Sequence, residues 1–496
     1  MMKKILTFAI IFVLAFSLMM PCTAFAAQDN VLRIYSWEDY ISTDEDTGKT
    51  LADDFVDWYK QKTGKTIRVE YSTFGTNEIM YNELKISGSS SGYSYDLICP
   101  SEYMIQKMIN EDMLEEYSAE FLDETNPQNH YVRNVSGYIK NLFESHKTSN
   151  GKSWANYAAG YMWGTMGFIY NPDKVDQNDI AHWKAVWDEK YKNQSTLKDS
   201  VRDTYFMGLA YVYSNELADL ATQFKNNELS AEKYNQKVNE ILNRTDDETI
   251  AKVEEALKQA KKNVFGFEVD SGKNDMITGK INVNFAWSGD AVYAIDEAEE
   301  QGVYLNYSVP VEGSNIFFDG WVMPKGANTA LAEEFVNYIS MPENACANMD
   351  YIGYTSVIAG DEVFDRMIDY FELTTADDYA SLSDDEKADL VAVDLSYFFD
   401  HLTDGRSSTV YTDTVGRQFY AQYPDLDTIN RCAIMNYFDN ETNEKISILW
   451  ENVKGTELPI WVLVLLGALV VVYVGQIIAK KLYKRNRAKY IANTKK

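Results

Sequence analysis

Between Val31 and Cys99 the sequence alternates strand-like apolar runs with amphipathic helical stretches, and this order limits the fold more than any other feature. Val31–Tyr35 is β-branched and apolar and reads as a strand. Leu51–Gln61 puts Leu51, Phe55, Trp58 and Tyr59 on one helical face and stops near Gly64. Ile67–Tyr71 reads as a second strand. Asn77 reads as the cap of a helix carrying Ile79, Met80 and Leu84, ended by Gly88–Gly92, and Tyr95–Cys99 reads as a third strand closed by Pro100. Such an order requires right-handed crossovers and a parallel sheet, so the fold class is α/β. In these sheets ligands sit beyond the carboxyl ends of the strands. The segments there are Ser36–Tyr40, Ser72–Asn77 and Pro100–Tyr103, and they bring Trp37, Tyr40, Ser101, Glu102 and Tyr103 to one place.

Further strands are expected at Tyr161–Tyr170, Ile281–Trp287 and Ile316–Met323. Ser214–Lys262 is charged and helix-rich, and the acidic stretch Asp361–Arg417 reads as a second helical region with few turn signals. At 496 residues the chain is long enough for two to four globular units.

Both ends of the chain stand apart. Met1–Ala26 reads as a secretory signal, with Lys3 and Lys4, an apolar run Ile5–Met20 and the small-x-small site Ala24-Phe25-Ala26. A transmembrane helix is the weaker reading, because the run is short and stops at Pro21. Cys22 precedes the cleavage site, and Pro21 is not the small residue that a lipoprotein signal wants, so a lipid anchor is the lesser reading. Leu458–Ala479 holds 22 residues without a charge, which reads as a transmembrane helix rather than a buried core helix. Eight basic residues follow it, so the tail 480–496 is expected in the cytoplasm and the rest of the chain outside. The whole chain has 46 Lys+Arg and 75 Asp+Glu, a charge of −29. Ten of those basic residues lie in the two ends, which leaves 36 against 75, or −39, for the external part. That balance excludes a general nucleic-acid binder and suits a cationic ligand.

Enzyme readings find little support. Gly88-Ser89-Ser90-Ser91-Gly92 fits the G-x-S-x-G string, but it follows a helix and precedes a strand, the reverse of a nucleophile elbow. The four histidines, His130, His146, His182 and His401, lack zinc-ligand spacing, and no Walker A or dinucleotide fingerprint occurs, so no cofactor or metal is expected. Cys99 sits in an apolar strand, while Cys346 and Cys432 are free to pair or not as far as spacing goes.

Eight strings in order give the chain a resemblance. Tyr35-Ser36-Trp37-Glu38-Asp39-Tyr40 is similar to the Y-x-W-x-x-Y segment of the spermidine/putrescine-binding proteins of polyamine ABC importers. Ser72–Glu78, Asp96–Tyr103 and Tyr161–Gly164 follow in the family's order, then Asp199–Asp203, Ala286–Asp290 and Ile316–Asp319, with Ile352–Tyr354 last. The resemblance implies a two-lobed periplasmic-binding-protein-like fold with crossover hinge strands, a polyamine between the lobes, and ABC permease subunits as partners in the same membrane. It divides the chain into lobe 1 (27–158 and 320–365) and lobe 2 (159–319 and 366–457). Carried over by position, the aromatic box is Trp37, Tyr40, Tyr103, Trp287, Phe317 and Tyr354, the amine-binding acids are Asp203 and Asp319, and Ser101 is a polar contact. Asp290 matches an acid of some putrescine-binding relatives, although it could equally cap the next helix. Asp203 could also cap or pair with Arg202. Phe317 and Ser200 depart from the spermidine-binding pattern, and Asn436 is a loose match for a polar amide. These departures leave the choice between spermidine and putrescine open. A membrane-tethered polyamine-sensing or adhesion ectodomain is the alternative function.

A polyamine is a methylene chain with ammonium groups, and the residue types suit both parts. Aromatic faces pack on methylenes and attract cations at about 0.5–2 kcal/mol each. Carboxylates add charge-assisted hydrogen bonds worth about 1.5–3 kcal/mol each.

Overall fold

The computed structural model describes residues 30–455, apart from 45, 89–91, 149–150 and 415, together with Lys480. The expected signal Met1–Ala26, the apolar run Leu458–Ala479 and the tail 480–496 apart from Lys480 lie outside the described residues, as does the centre of the Gly88–Gly92 string. Among the described residues no helix is long and apolar enough to cross a membrane.

Strand β1 (Val31–Trp37) pairs in parallel with β2 (Arg68–Phe74) on one side and β3 (Leu97–Ile98) on the other. The crossover helix α1 (Leu51–Thr63) starts at a capping box between Thr50 and Asp53 and stops at Gly64, whose φ of 71° closes it. It buries Phe55 against Phe335, Trp58 and Tyr338. Helix α2 (Asn77–Ser87) is capped by Thr76, not by Asn77, because the Thr76 hydroxyl accepts the Ile79 N–H at 3.2 Å. That frees Asn77 to point inward. Met80 and Leu84 face the core as expected, whereas Ile79 lies exposed.

A second parallel set has β5 (Ser195–Lys198) between β6 (Gly266–Glu268) and β7 (Val283–Trp287). The two sets are joined by an antiparallel pair, β4 (Ala158–Tyr170) and β9 (Ile316–Val322), at the centre of the order β2-β1-β3-β9-β4-β7-β5-β6. The strand β4 pairs its first part with β9 and its last part with β7 and β8 (Asn306–Ser308). The change of partner falls between Thr165, opposite Ile316, and Met166, opposite Trp287. The boundaries expected at 158/159 and 319/320 thus lie within β4 and β9. Every residue of β4 is buried, which accounts for its nearly continuous apolar sequence. Gly164 sits at the passage, where a Cβ would lie 2.2 Å from Ser288 Oγ and 2.9 Å from the Phe317 ring.

The charged stretch folds as helices Ser214–Lys225, Ala231–Leu242 and Asp247–Asn263. Asp361–Arg417 corrects the helical expectation. After β10 (Thr355–Ser356) and a helix at Asp361–Tyr370 come three antiparallel strands, β11 (Thr374–Thr375), β12 (Val391–Asp394) and β13 (Thr409–Thr412), in the order β11-β13-β12. Valine and threonine supply their β-branched side chains, and Tyr379 stacks on Tyr411 at 3.6 Å. Cys99, Cys346 and Cys432 are all free thiols, so Cys346 and Cys432 are not bridged. The last described helix, Asn440–Lys454, packs on Asp247–Asn263. Lys261 Nζ donates to the carbonyls of Val453, Lys454 and Gly455 at 2.8, 2.9 and 2.8 Å, which satisfies that helix end.

Candidate functional site

The carboxyl ends of both parallel sets face one cleft of about 1020 Å³, counting its solvent-open mouth. From the first set come Trp37 at the end of β1 and Tyr40 beyond it, Phe74 at the end of β2 and Asn77 beyond it, and Ser101, Glu102 and Tyr103 after β3. From the second come Lys198 at the end of β5 and Asp203 beyond it, Asp270 and Lys273 after β6, and Trp287 at the end of β7 with Asp290 beyond it. The central strand β9 adds Phe317 and Asp319, two residues apart and so on one face, and Tyr354 comes from the segment before β10. The cleft therefore gathers all ten residues singled out from the sequence: Trp37, Tyr40, Ser101, Tyr103, Asp203, Trp287, Asp290, Phe317, Asp319 and Tyr354.

Asp319 is the centre of one end. The Tyr40 hydroxyl donates to its Oδ2 at 2.6 Å and the Ser101 hydroxyl to its Oδ1 at 2.7 Å. Asn77 Nδ2 holds both Ser101 Oγ and the Tyr103 hydroxyl at 3.1 Å, and Tyr103 donates to Glu78 at 3.0 Å. No cation pairs with Asp319, Asp203 or Glu102 among the described residues. Burial pushes the Asp319 and Asp203 carboxyls up to about 6, against the pull of hydrogen bonds from Tyr40 and Ser101 in the first, and of a Ser200 hydrogen bond and the charges of Lys198 and Arg202 in the second. Glu102 is driven up to about 8, by burial first and the neighbouring Asp319 second. Asn315, 2% exposed, lines the same end with its Oδ1 accepting no hydrogen bond from the described residues. This end holds buried acceptors with no ion-pair partner among the described residues, Asp319 foremost, a costly arrangement unless a ligand supplies one.

Asp290 is different. Lys198 Nζ lies 3.2 Å from its Oδ2 and Lys273 Nζ 3.5 Å from its Oδ1, while the Tyr354 hydroxyl donates to Oδ1 at 3.1 Å. The two lysines hold its carboxyl below the usual range even though burial works the other way. Gly289 permits this arrangement, because a Cβ there would stand 1.9 Å from the Tyr354 ring. Asp290 falls in the first turn of the helix Ser288–Glu300 but makes no side-chain cap.

The aromatic residues line the walls. Trp37 packs on Phe74 at 4.6 Å, Tyr40 meets Tyr354 edge-on at 5.2 Å, and Phe317 meets Tyr354 at 6.2 Å. Arg202 does not pair with Asp203. Its guanidinium stacks between Tyr103 and Phe438, at 4.3 and 3.7 Å from the ring centres, and donates to the Asn436 carbonyl. Asn436 itself is exposed and outside the cleft, whose buried amides are Asn77 and Asn315. Sequence reasoning missed Lys198, Lys273 and Asn315. Lys198 and Lys273 come to Asp290 only through the pairing of β5 with β6 and β7, which no local pattern encodes.

Residues 54–361, more than half of the chain, match the bacterial extracellular solute-binding protein family, and the chain belongs to it. The spermidine/putrescine-binding periplasmic protein of Salmonella typhimurium is 26% identical over 333 residues, spanning 67% of this chain and 78% of that one. The putrescine-binding periplasmic protein PotF of Escherichia coli is 26% identical over 339 residues, spanning 67% and 79%. Among solved structures, the spermidine/putrescine ABC transporter substrate-binding protein PotD of Streptococcus pneumoniae aligns with a TM-score of 0.53 at 26% identity, over 86% of this chain and 98% of that one. The fold is the mixed α/β, two-lobed fold of such binding proteins.

Proposed function

We propose that this chain is the exported substrate-binding subunit of an ABC importer and that it captures a linear polyamine in the cleft. The observation that carries the reading is the Asp319 end, where a buried carboxylate and a free amide oxygen lie among aromatic walls and no cation among the described residues pairs with that carboxylate. A ligand ammonium supplies the missing charge, and the aromatic faces accept its methylenes. The relatives' names point to the same ligand class. In this reading the cleft residues other than Asp290, whose carboxylate Lys198 and Lys273 already balance, are the ligand contacts. The two lobes, 27–158 with 320–365 and 159–319 with 366–457, close on the ligand by bending at β4 and β9.

We also propose that Leu458–Ala479 anchors the receptor in the membrane that holds its permease. The folded body is pinned by Lys261 as far as Gly455, and only Thr456 and Glu457 separate it from that run. So short a tether keeps the receptor at high effective concentration beside a permease.

Calorimetric titration of the purified chain with a diamine, a triamine and a tetramine tests the reading. The expected result is binding near micromolar, about −8.2 kcal/mol, with no response to amino acids, sugars or sulfate. No heat with any polyamine, together with a clear response to an anion, would overturn it.

A further inference from the structure

The buried lysine at the end of β5 is unexpected in a cleft whose charged lining is mostly acidic. Lys198 is 1% exposed and its ammonium is fully engaged. It lies 2.6 Å from the Val269 carbonyl, 3.2 Å from Asp290 and 3.3 Å from Glu268, and its Nζ stands 4.3 Å from the centre of the Trp287 ring. Glu268 is fixed in turn by Asn284 Nδ2 at 2.9 Å and the Gly272 N–H at 2.8 Å. Lys198 and Glu268 are direct neighbours in the parallel register of β5 and β6, so the pair is set by the sheet and not by a mobile loop. Lys273 takes the other oxygen of Asp290.

We infer that Lys198 is a specificity-determining residue: its own ammonium fills the amine seat formed by Trp287 and Asp290, so the cleft takes a short diamine in preference to longer polyamines. The inference rests on the polyamine reading above and names the ligand within that class. Three of the positions around the Asp290 carboxylate are already used, by two lysines and Tyr354. An ammonium brought to Asp290 would face two like charges at short range. The other acids facing Lys273, Asp39 and Asp270, are exposed, where water screens a charge. A diamine can place one ammonium at Asp319 and Asn315 and leave the other toward those screened acids. A triamine or tetramine that extends along the cleft must carry a further ammonium up to Lys198.

Titration of the full chain with 1,4-diaminobutane, spermidine and spermine, in the wild type and in Lys198→Met, tests this. The wild type should prefer the diamine by about tenfold or more, and Lys198→Met should raise the affinity for spermidine at least tenfold relative to the diamine. Lys198→Met leaves Glu268 short of a partner, so Lys198→Met/Glu268→Gln, which removes the pair together, serves if the single variant fails to fold. Equal or tighter spermidine binding by the wild type overturns the inference, as does a Lys198→Met effect that is the same for all three amines. If neither lysine variant folds, the wild-type ranking decides. A wild type that binds none of the three amines overturns the polyamine reading itself, whereas binding without a diamine preference overturns only this inference.

Discussion

The two ends of the cleft hold the same side chain, a buried aspartate beside aromatic rings, and differ in what balances its charge. Asp290 lies against Lys198 and Lys273, and its carboxyl is held below the usual range. Asp319 has only the hydroxyls of Tyr40 and Ser101, and burial raises its carboxyl to about 6. One aspartate is part of the framework and the other is kept short of a partner. A binding site can be recognised by that deficit more surely than by the count of acids around it.

The largest effect should come from breaking the balanced end. Asp290→Asn leaves buried Lys198 and half-buried Lys273 without their shared carboxylate, so we expect a loss of about 3–5 kcal/mol in stability, read by chemical denaturation. Binding by the molecules that remain folded should change by threefold or less. Asp319→Asn should do the reverse. It removes the acceptor of the ligand ammonium and costs about 3 kcal/mol of binding, on the order of a hundredfold in Kd by calorimetry. Because it also removes a desolvated charge, the unliganded protein should melt no lower than wild type at neutral pH. Matching losses of binding in the two variants would erase the distinction between the ends.

A smaller effect follows from pH. Asp319 and Asp203 both have raised values, about 6, in the folded protein. The native state then holds these protons more tightly than the unfolded chain, so their contribution to stability is present at low pH and is lost as pH rises through about 6. A ligand ammonium favours the ionised forms, and binding should release protons. Affinity should therefore fall by about tenfold for each group between pH 7.5 and 5, and Asp319→Asn should show about half the wild-type slope. A flat profile across titrations at pH 5, 6 and 7.5 would mean that neither carboxyl meets the ligand's charge.

The same comparison shows what could be read from the sequence. The alternation of Val31–Cys99 corresponds to the parallel set β1, β2 and β3, because period and punctuation are local signals. The cleft residues at strand ends follow from that alternation together with the ordered strings. The state of Asp290 does not, since Lys198, Glu268 and Lys273 reach it only through strand register across the second parallel set. The sequence alone points to Asn77 as a cap, because asparagine favours that position. Thr76 takes the role instead, and Asn77 holds Ser101 and Tyr103. In Asp361–Arg417 the acidic composition hid short strands whose pairing is long-range, as between Thr375 and Val410.

The account is tested most directly by a crystal structure of the chain with a bound diamine. It predicts an ammonium nitrogen within hydrogen-bond distance of an Asp319 oxygen and of Asn315 Oδ1, with Lys198 still seated between Asp290 and Glu268. An ammonium bound to Asp290 with Lys198 displaced, or an aromatic cleft that stays empty while the diamine binds elsewhere, would contradict it.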